Sequence, residues 1–143
     1  MEMIDAKTFL EDIENKNARI QCKLAEIQQL RSLATSISSL SSETPVQSSS
    51  EGDRIGKIIA SIVDKEKELD AIVDDYIDEK EKRIKLIEQL DDSLQYKVLH
   101  KRYVELKSLS EIASEECYTY DWIGKKHSQG LKKVQEMLNE LCG

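Results

Sequence analysis

The hydrophobic positions of this 143-residue chain fall into two long helical stripes followed by a denser, less regular C-terminal pattern. The first stripe starts after Asp5, a residue type that caps helix N-termini, and carries Leu10, Ile13, Ile20, Leu24, Ile27, Leu30, Ala34, Ile37 and Leu40. Steps of three, four and seven residues place them on one helical face. Residues 41–52, "SSETPVQSSSEG", hold the only proline and five serines and read as a flexible connector. The second stripe follows Asp53, a second expected cap, through Ile55, Ile59, Ile62, Leu69, Val73, Tyr76, Ile87 and Leu90. Ile58, Ile72, Ile77 and Ile84 widen it. A mean spacing near 3.5 residues, with charge on the other faces, is coiled-coil grammar. Glu66, Lys80 and Arg83 fall on the expected seam and predict a loose, partly water-exposed packing there.

The two stripes predict helices of about 36 and 38 residues, roughly 54 and 57 Å long at 1.5 Å per residue. The connector is long enough to fold them into an antiparallel hairpin. A two-helix hairpin buries little area per residue. It therefore predicts either docking of the C-terminal part on the hairpin or self-association, with a homodimer favoured.

Beyond residue 90 the pattern shortens. Asp92 with Gln95 forms an expected capping box before a helix reaching about Glu105, with Leu94, Val98, Leu99, Tyr103 and Leu106 buried. Ser108 with Glu111 forms a second box, opening a short helix with Leu109, Ile112 and Ala113. A tight turn at Cys117 and Tyr118 follows, with Tyr118 expected to pack into it. A longer helix then starts at Thr119, whose hydroxyl can accept a first-turn amide, while Asp121 suits the positive end of the helix dipole. Ala113 sits where two crossing helices touch, and Ile123 points back into the same small core. The chain as a whole reads as all-α, with an acidic hairpin over residues 1–90 and a helix-turn-helix domain over 91–143.

Composition restricts the chemistry. Aromatics are 5% and charged residues 34%, which suits solvated helices rather than a sheet. The formal charge of −7 is uneven: residues 1–92 hold 13 Lys/Arg against 21 Asp/Glu, net −8, and residues 93–143 hold 8 against 7, net +1. The two parts face different partners. Cys22, Cys117 and Cys142 are odd in number without C-x-x-C spacing, and His100 and His127 lack a second ligand at metal spacing. Neither a disulfide framework nor a metal site is expected. No phosphate loop, nucleophile elbow, H-E-x-x-H or Cys/His pair occurs, so neither catalysis nor a cofactor is expected. The acidic start "MEMIDAKTFLEDIENK" does not suit a signal peptide, and no apolar run approaches a membrane span. A cytoplasmic protein with no membrane partner is the expectation.

The stretch "LSEIASEECYTYDWIGKKHSQGLKKV" resembles the helix-turn-helix of sigma factor region 4. The landmarks fall on Leu109, Glu111, Ile112, Ala113, Thr119, Ile123, Gly130, Leu131 and Val134, with "LHKRY" upstream in the place of the family's Leu-x-x-Arg-Tyr. By general layout the whole chain resembles a family of small phage or mobile-element proteins of Firmicutes, sigma region 4-like transcription regulators related to ArpU- and RinA-type late-gene activators. The resemblance implies a regulator that binds double-stranded DNA through the helix starting at Thr119. The hairpin would then dimerise or contact RNA polymerase. Groove geometry assigns Tyr120, Asp121, Gly124 and Lys125 to the DNA face and Trp122 to its edge, where core, hairpin or partner contacts are open alternatives. Lys126 and Lys132 follow as further candidates, Lys132 with Lys133 nearer phosphate or solvent, and Ser110 and Thr119 can offer hydroxyls to phosphate. The sequence departs from the family where Cys117 replaces the usual turn glycine, where Lys126 replaces an apolar core residue, and where Tyr120 and Trp122 replace arginines. Gly124 and Gly130 each weaken the helix by about 1 kcal/mol against Ala. Two other readings compete: a helical assembly protein such as a small terminase-like DNA-packaging component, and a degenerate helix-turn-helix used only for protein contacts.

Overall fold

The structure, a computed structural model, describes residues 4–43 and 49–142, with side chains described outside 40–50. Every regular element among the described residues is helical: α1, Ala6–Glu43; α2, Ser49–Glu88; α3, Ser93–Leu99, continuing into a π-helical turn at His100–Val104; α4, Leu109–Glu116; and α5, Tyr120–Cys142. No helix among them is long and apolar enough to cross a membrane.

Two compact units emerge, residues 17–75 and residues 1–16 together with 76–143. They divide within α1 and α2 rather than at their ends. In the first unit, Lys23 bonds Glu68 at 2.8 Å, Lys65 bonds Glu26 at 3.2 Å and Arg31 meets Glu66 at 3.4 Å. Partner numbers fall on α2 as they rise from Lys23 to Glu26 on α1. Ile20, Ile27 and Ile58 are its buried apolar residues among those described. Leu24 and Ile59, expected on the seam, are instead 44% and 52% exposed. Their stripes are wider than one partner helix can cover.

The second unit holds the main core. Ala6 and Leu10 of α1, Leu86, Ile87 and Leu90 at the end of α2, Leu99, Tyr103, Val134 and Leu138 form one buried cluster. The C-terminal helices therefore dock on the ends of α1 and α2 that lie in this unit. Asp5 caps α1 as expected, its carboxylate accepting from the Thr8 amide at 3.1 Å, and Gln135 of α5 takes the Ala6 amide at 2.7 Å. That second bond satisfies a helix-end donor that α1 cannot satisfy itself.

The expected partly wet seam holds at Glu66, 48% exposed, but not at Arg83. Only 4% exposed, its Nε donates to the Phe9 carbonyl at 2.8 Å, and its Nη1 donates to the carbonyl and carboxylate of Glu79 at 2.9 and 2.8 Å. The guanidinium also lies 3.9 Å from the Phe9 ring centroid. A planar group with five donors fills a position where a compact ammonium would leave gaps.

Four further expectations change. Asp53 lies inside α2, which starts at Ser49; of the expected connector, 41–43 and 49–52 are helical, while 44–48 and the side chain of Leu40 lie outside the described residues. Leu106 is 39% exposed with φ 61°, ending the π-turn in a left-handed residue rather than filling the core. Tyr118 is 49% exposed rather than packed into its turn. The Asp92 carboxylate accepts from the amides of Leu94 and Gln95, as a cap should, but the Gln95 side chain turns away to Gln129. Its buried Oε1 has no hydrogen-bond partner among the described residues.

Candidate functional site

A second, smaller cluster carries the region that the sequence singles out. Val98 of α3, Ile112 and Ala113 of α4 and Ile123 of α5 are buried together, with Leu94 and Leu109 at its edge. Small Ala113 lets α4 approach its neighbours. Ser108 caps α4 through the Glu111 amide at 3.1 Å, and its hydroxyl bonds the Glu111 carboxylate at 3.2 Å. α4 ends at Cys117 with φ 61° and ψ 40°, and the Ala113 carbonyl accepts from both the Cys117 and Tyr118 amides. A left-handed residue here reverses the chain within three residues. Thr119 then accepts the Trp122 amide at 3.2 Å and opens α5.

The buried residues Ile123, Gly130, Val134 and Leu138 define the inner face of α5. A side chain at Gly130 would bring its Cβ to 3.1 Å from Leu99, whereas Gly124 has open space around it. The close packing of α5 against α3 accounts for one glycine and leaves the other unexplained. Asp121, Lys125, Ser128 and Lys132, spaced four, three and four residues apart, form the opposite, exposed face. Ser128 was not among the residues expected from sequence. The same spacing rule would have found it.

The other candidates lie around this stripe. Tyr120 is 57% exposed on one flank. On the other flank Trp122 lies beside both lysines, 5.8 Å from Lys125 Nζ and 5.1 Å from Lys126 Nζ. Trp122 and Lys126 also line an open cleft of about 670 Å³ with Leu94, Cys117, Tyr118 and Thr119. Lys126 is the half-buried member, bonding the Asp92 carboxylate at 2.9 Å. Asp92 is held below the usual carboxylate range chiefly by the Gln95 amide and then by Lys126. The lysine charge is therefore spent on a helix cap. Ser110 is exposed on α4, with its hydroxyl in none of these contacts.

The lysines of the C-terminal region are not equivalent. Lys101 bonds Glu115 and Glu116 at 2.7 and 3.0 Å, Lys107 bonds Glu115 at 2.9 Å, and Lys97 meets Glu116 at 3.7 Å. Hydrogen bonds to these carboxylates push the Lys101 and Lys107 ammonium groups up and the Glu115 and Glu116 carboxyls down. Lys125, Lys132 and Lys133, all on α5 and all exposed, form no ion pair among the described residues. Among the Lys/Arg residues of 93–143, the exposed charge that is free of ion pairs thus lies on α5.

No group of three or more His, Cys, Asp or Glu side chains capable of holding a metal ion occurs among the described residues. No protein-family model, curated protein or solved structure matches this chain.

Proposed function

We propose that this protein is a sequence-specific DNA-binding transcriptional regulator of phage or mobile-element genes. In this reading α4 and α5 form a helix-turn-helix, with α5 entering the major groove, and α1 and α2 form an antiparallel hairpin that dimerises or contacts RNA polymerase. The observation that carries it is the exposed α5 stripe of Asp121, Lys125, Ser128 and Lys132, whose lysines are not engaged in ion pairs among the described residues. Lys125 and the Tyr120 hydroxyl can donate to base acceptors, Asp121 can accept from a cytosine amino group, and Lys132 and Lys133 reach phosphate. Thr119 can still donate its hydroxyl proton while capping α5, as can Ser110 from α4. Trp122 and Lys126 sit at the edge, with Lys126 reaching phosphate only after leaving Asp92.

Three unpaired lysines predict a modest salt dependence: log K against log salt should have a slope of about −3 per chain, from about −0.9 per phosphate neutralised. The decisive experiment is genome-wide binding in the native host, with wild type and Lys125→Ala. Discrete peaks upstream of phage-type genes, weakened in the variant, are expected. Peaks unchanged in the variant would remove the role given to Lys125, and failure of promoter-length DNA to bind at low salt would overturn the whole reading.

A further inference from the structure

The unit formed by residues 17–75 has one face that its own helices do not cover. Arg31 of α1 and Glu66 of α2 meet at 3.4 Å, and this ion pair marks the face. Leu24 lies seven residues before Arg31, which is two helical turns on the same side of α1. Ile59 and Val63 lie seven and three residues before Glu66, on the same side of α2. These three apolar residues, 44%, 52% and 45% exposed, therefore share the face spanned by the Arg31–Glu66 bridge. The opposite edge is different in character. There Lys23, Glu26, Lys65 and Glu68 close the seam with interlocking ion pairs. Leu33 is also exposed, but two residues past Arg31 it points about 200° away around α1.

The occupant is argued from what the unit lacks. Only Ile20, Ile27 and Ile58 are buried among its described apolar residues, too few for a two-layer core. On α2 the apolar positions Ile55, Ile58, Ile59, Ile62 and Val63 recur at intervals of three, four, seven and eight, an arc wider than a two-stranded seam and suited to a bundle. The face is also self-complementary. Its α1 side carries Arg31 and a leucine, and its α2 side carries Glu66, an isoleucine and a valine; because the Arg31–Glu66 pair is itself 57% and 48% exposed, it can exchange partners with its copy when the patch meets itself across a two-fold axis.

We infer that the face carrying Leu24, Ile59 and Val63 is a self-association surface, on which a second copy of this chain completes a four-helix layer. This inference names a partner and a surface where the functional proposal leaves both open, and it does not depend on DNA binding. The test is sedimentation equilibrium of the full chain from about 1 to 200 µM, comparing wild type with Ile59→Glu/Val63→Glu, the milder Ile59→Ser/Val63→Ser, and Leu33→Glu. A wild-type dimer is expected, with its dissociation constant raised by about 100-fold or more in the Glu pair and by a smaller factor in the Ser pair. Leu33→Glu should leave it unchanged. Far-UV circular dichroism of the Ser pair separates loss of association from loss of helix. A wild type that stays monomeric at 200 µM would overturn the inference and leave the face to another protein; so would a helical Ser pair that dimerises as wild type does.

Discussion

Replacing Arg83 tests whether a buried charge or its shape holds the second unit together. Arg83→Ala deletes the bond to the Phe9 carbonyl, two bonds to Glu79, a 3.5 Å contact with the 42% exposed Asp12 carboxylate and the stack on the Phe9 ring. Breaking a buried ion pair from one side costs about 3–5 kcal/mol when the remaining charge stays buried. Glu79 does not stay buried: its side chain is 24% exposed and Lys82 bonds it at 2.9 Å, so water and Lys82 can take over. The Phe9 carbonyl, inside α1, can keep its helical hydrogen bond. The lower end, about 3 kcal/mol, is therefore expected for Arg83→Ala, including the cavity. Arg83→Met fills most of that space without a charge to desolvate and should cost about 1 kcal/mol.

The assay is urea unfolding followed by far-UV circular dichroism at pH 7 and pH 3. Hydrogen bonds from Arg83, then from Lys82, lower the Glu79 pKa from 4.5 to about 2. A folded pKa below the unfolded one means that the contribution is present above pH 4.5 and is lost as pH falls through about 2. Wild type should therefore lose part of its stability between pH 5 and pH 2. Arg83→Met should lose less over the same interval, because the largest cause of the shift is gone. An Arg83→Met variant as unstable as Arg83→Ala would refute the shape argument. An Arg83→Ala variant within 1 kcal/mol of wild type would refute the assignment of Arg83 as a buried bridge.

Two other perturbations address the C-terminal helices. Cys117→Gly removes the strain of a side chain at φ 61° and should stabilise the unit by up to about 1 kcal/mol, raising Tm by about 3 °C in a thermal scan; an unchanged or lower Tm would contradict it. Burial, followed by the charges of Arg102 and Lys7, pushes the His127 imidazole below its ordinary 6.5, against a small opposing effect of Glu11. Its contribution is therefore present above about pH 6.5 and is lost as pH falls below that. Urea midpoints at pH 8 and pH 5.5 should show this loss in wild type and a flatter response in His127→Gln.

Local rules made much of the C-terminal architecture legible. Ser108, Thr119 and Asp92 cap the helices they were expected to cap, because a short polar side chain before an apolar run acts only on its nearest amides. Ile112, Ala113 and Ile123 likewise reach one core through helical spacing. What spacing cannot express is competition among distant partners. Gln95 leaves its expected box for Gln129, 34 residues away, and Lys126 is captured by Asp92 across the same interval. Arg83 looks like an error in a coiled-coil stripe until the Phe9 carbonyl and ring are beside it. Leu106 shows the same limit for the backbone: an apolar residue at the expected spacing carries a left-handed φ because the preceding helix leaves through a π-turn.

Internal pairing also constrains the functional reading. The carboxylates that tie α4 to the preceding turn engage Lys97, Lys101 and Lys107, and the α3 cap engages Lys126. Half of the eight Lys/Arg residues in 93–143 thus hold this unit together rather than remaining free for phosphate. About three neutralised phosphates give one chain little affinity at physiological salt, because counterion release scales with their number. Under the proposed DNA-binding reading, a second copy would double that number and make the second engagement intramolecular, so affinity would rise without any new contact per chain. The exposed apolar face of residues 17–75 and the few free lysines of α5 are therefore linked by arithmetic. If α5 enters DNA as proposed, a chain with so few free cations on that helix gains most from being held in pairs.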